Sequence, residues 1–247
     1  MKINISKSGL EALSSIYDLF DQQISRYFET ARNPLACKEG CASCCTCNVT
    51  VTGLEAALIV QELPSGRRQA VLDLLDPVLE KKRFVPGLTF NGFARACVEG
   101  EPVREEENDP RWGICGLLED DRCSIYPLRP FGCRALLSTK DCSTARYASL
   151  PDSLMTLNNL FMQAVEHLDK NGVTGNLADM LALFLSVLKE DQLQEDQSKK
   201  DQSETGGFPE GIDCSSGIES GIFIRNEKIP VLMIPPEHRE QAGPVVE

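Results

Sequence analysis

Two cysteine-dense runs, remote from each other in the chain, constrain it more than any other feature. The first reads Cys37-Lys-Glu-Gly-Cys41-Ala-Ser-Cys44-Cys45-Thr-Cys47, and the second carries Cys115, Cys123, Cys133 and Cys142. Eleven of 247 residues are Cys, against two His. Residues 1–10 contain Lys2 and Lys7 but no apolar segment followed by a small-residue cleavage site, so no export is read there and a cytoplasmic setting is expected. In a reducing compartment, clustered thiols bind metal or do redox chemistry in preference to forming structural disulfides, and an odd count fits complete pairing poorly.

The spacing sharpens this. Two- and three-residue gaps let one turn aim two thiolates at one ion, while a distant run supplies the remaining donors. Adjacent side chains such as Cys44 and Cys45 diverge in extended backbone, so they are expected to serve different metals or different atoms of one polynuclear cluster. Eight cysteines could fill two four-thiolate zinc sites, or four could hold an iron–sulfur cluster with four left over. The sequence does not choose between them. Arg122, Arg129 and Arg134 interleave with the second run and either hydrogen-bond to thiolates or brace their own loop.

The remaining composition excludes several classes. A hydrophobic content of 42% rules out an overall disordered chain. With 37 acidic against 25 basic residues, a net charge of −12 argues against a nucleic-acid partner or an anionic membrane surface. The longest apolar stretch, residues 181–188, is shorter than the roughly 18–20 residues that span a bilayer.

Apolar residues at helical spacing predict a first helix over residues 8–32, ended by Asn33-Pro34. Thr52 and Glu55 form a capping box for a second helix to about residue 63, and a third is expected over 67–83, broken or kinked at Pro77. Residues 84–122 read as loops or short irregular strands, with a turn at 119–121 and one helical turn near 132–137. Helical spacing returns over 154–168, stopped at Asn171-Gly172, and a helix over 177–190 is apolar on most faces, hence either buried or a partner surface.

The run Cys37, Cys41, Cys44-Cys45, followed by Cys115-x-Leu-Leu, Cys123-Ser-Ile-Tyr, Arg129-Pro130 and Cys133-Arg134, resembles the CxxCxxCC cysteine-cluster family, also called the YkgJ-type or zinc- or iron-chelating domain. Carried over onto residues 37–142, the resemblance implies eight metal ligands, Cys37, Cys41, Cys44, Cys45, Cys115, Cys123, Cys133 and Cys142, with Arg129 and Arg134 behind them. The first gap is CxxxC instead of CxxC and Cys47 is an extra thiol, which makes Cys47 an alternative to Cys37. The family implies chelation of Zn2+ or an Fe–S cluster without a settled reaction. A related cluster in flagellin lysine methylases extends the implication to protein modification.

Other chemistries have less behind them. Cys37-x3-Cys41-x2-Cys44 matches radical-SAM spacing, yet Ser43 replaces the usual aromatic and no strand–helix alternation follows. His167 falls in the last turn of a helix and His238 near the end of the chain, both structural or solvated on this reading. The acidic run 104–107 with Asp109 reads as a solvated loop, Cys97 as a small buried hydrophobe and Cys214 as an exposed thiol.

The expectation is a mainly α protein: a small helical domain with irregular metal-stapled cysteine loops, a C-terminal helical pair and a flexible tail. Its parts are a cysteine-cluster domain with the N-terminal helix (1–150), the helical pair (151–190), a polar linker (191–210) and a tail with a hairpin about Asn226-Glu227 (211–247). The expected function is metal binding by up to eight thiolates. The alternatives are a redox enzyme or methylase-like subunit using an Fe–S cluster, and an adaptor that binds a protein partner through the helix at 177–188.

Overall fold

Ser6 accepts a hydrogen bond from the N–H of Gly9 at 3.1 Å and starts the longest helix, α1 (Lys7–Thr30), whose stripe Leu10, Leu13, Tyr17, Phe20 and Ile24 is buried as its periodicity predicts. The computed structural model describes residues 2–32, 34–198 and 211–227. In chain order these form β1 (Lys2–Ile3), α1, β2 (Thr50–Thr52), α2 (Gly53–Glu62), α3 (Ser65–Leu79), α4 (Phe90–Glu99), β3 (Leu118–Glu119), β4 (Arg122–Cys123), α5 (Phe131–Ala135), α6 (Cys142–Ala145), α7 (Asp152–Leu168), β5 (Val173–Asn176), α8 (Leu177–Ser198), β6 (Ile212–Asp213), α9 (Ser215–Glu219) and β7 (Phe223–Arg225). The described residues are mainly helical, with three small sheets.

The predicted capping box opens α2. Thr52 Oγ1 accepts from the Glu55 N–H at 3.2 Å, and Glu55 Oε2 accepts from the Thr52 N–H at 2.9 Å. Glu55 is only 4% exposed, and its other oxygen is also filled: Oε1 accepts from the Tyr17 hydroxyl and from the Phe131 N–H, both at 2.8 Å. Phe131 in turn meets Phe20 edge-on at 4.7 Å and stacks on Phe161 at 6.0 Å, which anchors α5 between α1 and α7.

Two expectations about the middle of the chain are corrected. α3 runs through Pro77 and stops at Leu79, short of residue 83; Arg83 instead folds back to donate to the freed carbonyl of Leu79 at 2.6 Å and pairs with Asp179. Within the stretch expected to be irregular, α4 forms between an N-cap at Thr89 and a left-handed C-cap at Gly100 (φ 71°). Its buried face consists of the small or polar residues Asn91, Gly92, Ala94 and Ala96, while the larger apolar Phe93, Cys97 and Val98 are exposed.

The main sheet has the antiparallel order β2-β5-β7, with Val51 opposite Gly175 and Gly175 opposite Phe223. The Phe223 ring lies flat where a side chain at Gly175 or Gly217 would stand, so glycine at both positions permits the close approach. Residues 211–227 therefore belong to the folded body and not to a tail: β6 pairs with β1, Cys214 is fully buried, and Asn226 donates to Asp169. α8 continues to Ser198, into the stretch expected to be linker from 191. The rest of that linker (199–210), the second arm of the expected hairpin and His238 lie outside the described residues.

The helix expected to be either core or partner surface is core. Met180, Leu181, Phe184, Leu185 and Leu188 of α8 are buried where it packs on α2 and α3, which leaves these side chains nothing to offer a partner. Among the described residues no helix is long and apolar enough to cross a membrane.

Candidate metal centre

The two cysteine runs meet through their backbones. The Cys115 N–H donates to the Cys45 carbonyl at 3.0 Å, the Cys47 N–H donates to the Gly113 carbonyl at 3.0 Å, and Thr46 and Ile114 form the bridge between them. Turns shape the first run: the Cys41 N–H reaches Lys38 O and the Cys45 N–H reaches Ala42 O, both at 3.0 Å, with Gly40 supplying the left-handed conformation (φ 85°) that the first turn needs.

The second run is built from three pieces. β3 and β4 form a hairpin whose two turn residues, Asp120 (φ 48°) and Asp121 (φ 60°), are both left-handed, the signature of a type I′ turn. It sets Cys123 opposite Leu118. The short helix α5 carries Cys133, where one helical turn was expected. Cys142 begins α6 behind an Asp141 cap, and the loop before it is knotted by Ser138, which accepts from the N–H groups of Lys140 and Ser149, each at 3.0 Å. The Ala36 N–H donates to the Ser138 carbonyl at 2.8 Å, tying the approach to Cys37 onto this loop.

All eleven cysteines are free thiols. Seven of the eight resemblance-implied ligands, Cys37, Cys41, Cys44, Cys45, Cys115, Cys123 and Cys133, line one cavity of about 90 Å³. Among the described residues no group of three or more His, Cys, Asp or Glu side chains is set, as it stands, to hold a metal ion.

Burial and the thiols' action on one another shift them in both directions. Burial pushes Cys133 well up, and Cys115, Cys123 and Cys44 add to it. Burial likewise lifts Cys115 to about 11, with Cys123 contributing. Cys45 is held low, first by a hydrogen bond shared with Cys44, against upward pressure from burial and from Cys115, Cys133 and Cys123. Cys37 is raised by burial and then by Cys41, Cys44 and Cys142. Cys45, Cys115, Cys123 and Cys133 influence one another, Cys37 feels Cys41, Cys44 and Cys142, and Cys44 reaches Cys133 as well, so the two sets are joined. The neighbours Cys44 and Cys45 do not diverge as extended backbone would have them: their thiols share a hydrogen bond, which drives Cys44 up as it holds Cys45 down.

The remaining sequence expectations sort as follows. Cys47 is buried with its thiol 3.3 Å from Asn48 Oδ1, and Cys37 but not Cys47 lines this cavity. Cys97 and Cys214 are reversed: Cys97 is exposed on α4, while Cys214 is buried between β6 and α9 and its thiol is pushed up to about 11 by that burial. Arg129 reaches the thiols electrostatically, pulling Cys44 and Cys123 down, and its guanidinium lies 4.1 Å over the Tyr126 ring. Arg134 braces instead, since its guanidinium pairs with Asp21 at 2.6 Å and donates to the carbonyls of Arg129 and Pro127. His167 does fall in the last turn of α7. The acidic run stays an exposed loop, with Glu107 paired to Lys82 at 2.9 Å and Asp109 held at about 2 by Arg111. Glu55 and Ser138 position the cysteines, yet the capping box marked Glu55 only as a helix start and nothing in the sequence marks Ser138.

No protein-family model matches the chain, and no curated protein or solved structure matches it either.

Proposed function

We propose that this chain is a thiolate metal protein in which two four-cysteine groups, Cys45/Cys115/Cys123/Cys133 and Cys37/Cys41/Cys44/Cys142, hold zinc or iron–sulfur centres in a reducing, cytoplasmic setting. The observation that carries the reading is the gathering of seven free thiols from two remote runs around one small cavity, with the eighth beside Cys37. Thiols pushed up by burial and by one another are an unfavourable grouping until a cation neutralises them, and bound metal would supply that charge. Four thiolates around a divalent zinc leave a formal −2, which Arg129 and Lys38 at the cavity would offset. The metal's work on this reading is to fasten loops that have little apolar core of their own. It would join the cysteine turns to the helical body as a disulfide does in an oxidising compartment.

An enzymatic reading, redox or methylase-like, has one observation in its favour: a second, larger cavity lies across α5 from the thiols. Anaerobic purification followed by analysis for zinc, iron and acid-labile sulfide tests both readings. Two zinc equivalents with a featureless visible spectrum support closed structural sites. Iron with sulfide and an absorbance that dithionite bleaches supports the redox reading on the same ligands. A metal-free preparation that also fails to take up either metal overturns the proposal.

A further inference from the structure

Glu227 is the last described residue before the C-terminal stretch 228–247, and it stands at the rim of a cavity of about 490 Å³. Its backbone N–H reaches the carboxylate of Glu166, a residue that lines this cavity, and its own carboxylate accepts from Arg95 Nε of α4 at 3.1 Å. Asn226, just before it, accepts from the hydroxyl of Thr174, another lining residue, at 2.7 Å. Three bonds thus hold the chain at the cavity where it leaves the described residues.

The cavity is apolar and open to the surface. Leu88, Phe90, Phe93, Val103 and Met162 line it, and Phe93 and Val103 are 46% and 38% exposed. Large apolar side chains grouped at a surface mark a place that something covers.

The sequence supplies a cover of matching chemistry within reach. Lys228 is followed by Ile229-Pro230-Val231-Leu232-Met233-Ile234 and then by Pro235-Pro236. So dense an apolar run is unfavourable in water unless it packs or binds. Proline disfavours helix in the residue before it, which biases Ile229 and Ile234 to extended backbone. Six extended residues reach roughly 20 Å, about twice the width of a sphere of this volume. Glu105 and Glu106 line the same cavity and would attract Lys228 at the head of the run.

We propose that residues 229–234 fill this cavity in cis, with their apolar side chains against Phe90, Phe93 and Val103. Phe131 and Gly132 belong to the same wall and precede Cys133 in α5, so the segment packs behind the helix that carries a cluster thiol. A cavity filled by its own chain has no room for a substrate, which takes away the observation behind an enzymatic reading. The inference needs no metal and stands apart from the proposed function.

The test is hydrogen exchange on the full-length protein as purified, followed in residues 84–99, which carry much of the cavity wall. Leu232→Asn/Met233→Asn places polar groups on both faces of an extended segment, because neighbouring side chains point opposite ways. It should speed exchange in 84–99 about tenfold. Val103→Asn, at a half-exposed wall position, should do the same from the other side of the contact. Both changes remove one contact, so the triple variant should exchange no faster than either. The substitutions are neutral and report lost packing, not charge repulsion, and circular dichroism checks that each variant folds. Three results overturn the inference. Exchange in 84–99 that ignores the Leu232/Met233 changes means a cavity left empty or taken by a separate molecule. Additive acceleration in the triple variant means no contact between the two sites. Protection of 84–99 that falls when the wild type is diluted about tenfold means that a second copy supplies the segment.

Discussion

The carboxylate of Glu55 accepts a hydrogen bond from the backbone N–H of Phe131 at 2.8 Å, so a residue of α2 fixes the start of the helix that carries Cys133. The same side chain closes the capping box of α2 and holds the Tyr17 hydroxyl of α1. One buried acid therefore joins the helical body to the cysteine cluster. Glu55→Ala leaves Tyr17 and Phe131 with unsatisfied donors and removes the cap together. It should destabilise the fold by about 3–5 kcal/mol in urea unfolding. A loss below about 1 kcal/mol, the size of an ordinary cap, would show that the bonds to Tyr17 and Phe131 carry little.

The two proposed four-cysteine groups make a stoichiometric prediction. Cys133→Ser and Cys142→Ser stand in different groups, so each should remove one metal equivalent and the double variant should remove both. Cys47→Ser and Cys97→Ser should leave the metal content unchanged, because neither thiol lines the cavity. Elemental analysis of the six proteins, wild type included, decides it. Loss of all metal in either single cluster variant would favour one polynuclear cluster over two separate sites.

On the proposed function, removing bound metal should loosen only part of the molecule. Residues 37–47 and 115–142 hold few wholly buried apolar side chains, whereas α2 and α8 form the centre of the core. Hydrogen exchange after anaerobic chelation should accelerate across those two segments and stay slow in α2 and α8. Unchanged exchange in the cysteine segments would count against a fastening role for the metal.

Legibility in the sequence followed how local each signal is. The stripe of α1, the Thr52–Glu55 cap and the turn at Asp120-Asp121 are written within a few residues, and all three stand where the sequence puts them. α4 was illegible because it buries Asn91, Gly92, Ala94 and Ala96, and β5 because its centre is Gly175 packed under Phe223. Burial of Cys214 and exposure of Cys97 depend on strand pairings and helix facing that no local pattern encodes. At the site, the family resemblance carried by the cysteine pattern named the seven thiols that line the cavity. It could not reveal that Cys115 pairs with Cys45 along the backbone, that Arg134 turns to Asp21, or that Glu166 ends beside an aromatic cavity, since all three are tertiary facts.

The packing of Phe223 on Gly175 predicts a coupled pair. Phe223→Ala empties a buried site and should cost about 3–5 kcal/mol. Gly175→Ala drives a methyl group into the ring and should cost about 1–3 kcal/mol. In the double variant the added methyl has room, so Gly175→Ala should cost clearly less there than in the wild type. Additive losses would mean that Gly175 is needed for its backbone and not for the space above it.

Asp169 gives the fold a pH dependence of definite sign. Its side chain accepts from the Leu54 N–H at 3.1 Å and from Asn226 Nδ2, but burial outweighs these bonds and lifts its pKa from 3.8 to about 7. The folded state therefore holds a proton that the unfolded chain releases near pH 4. The resulting stability is fully present below the unfolded value and is lost as pH rises through about 7. Asp213 and Asp109, whose carboxyls are held low, act in the opposite direction but only below about pH 4, so the windows do not overlap. Asp169→Asn keeps an acceptor for Leu54 and cannot ionise. Its urea midpoint should fall less than that of the wild type as pH rises from 4 to 8, with the two curves diverging most steeply between about pH 5 and 6 and running parallel once pH is well above 7. Parallel curves across that range would place the ionisation of Asp169 elsewhere and remove the buried acid as a source of pH sensitivity.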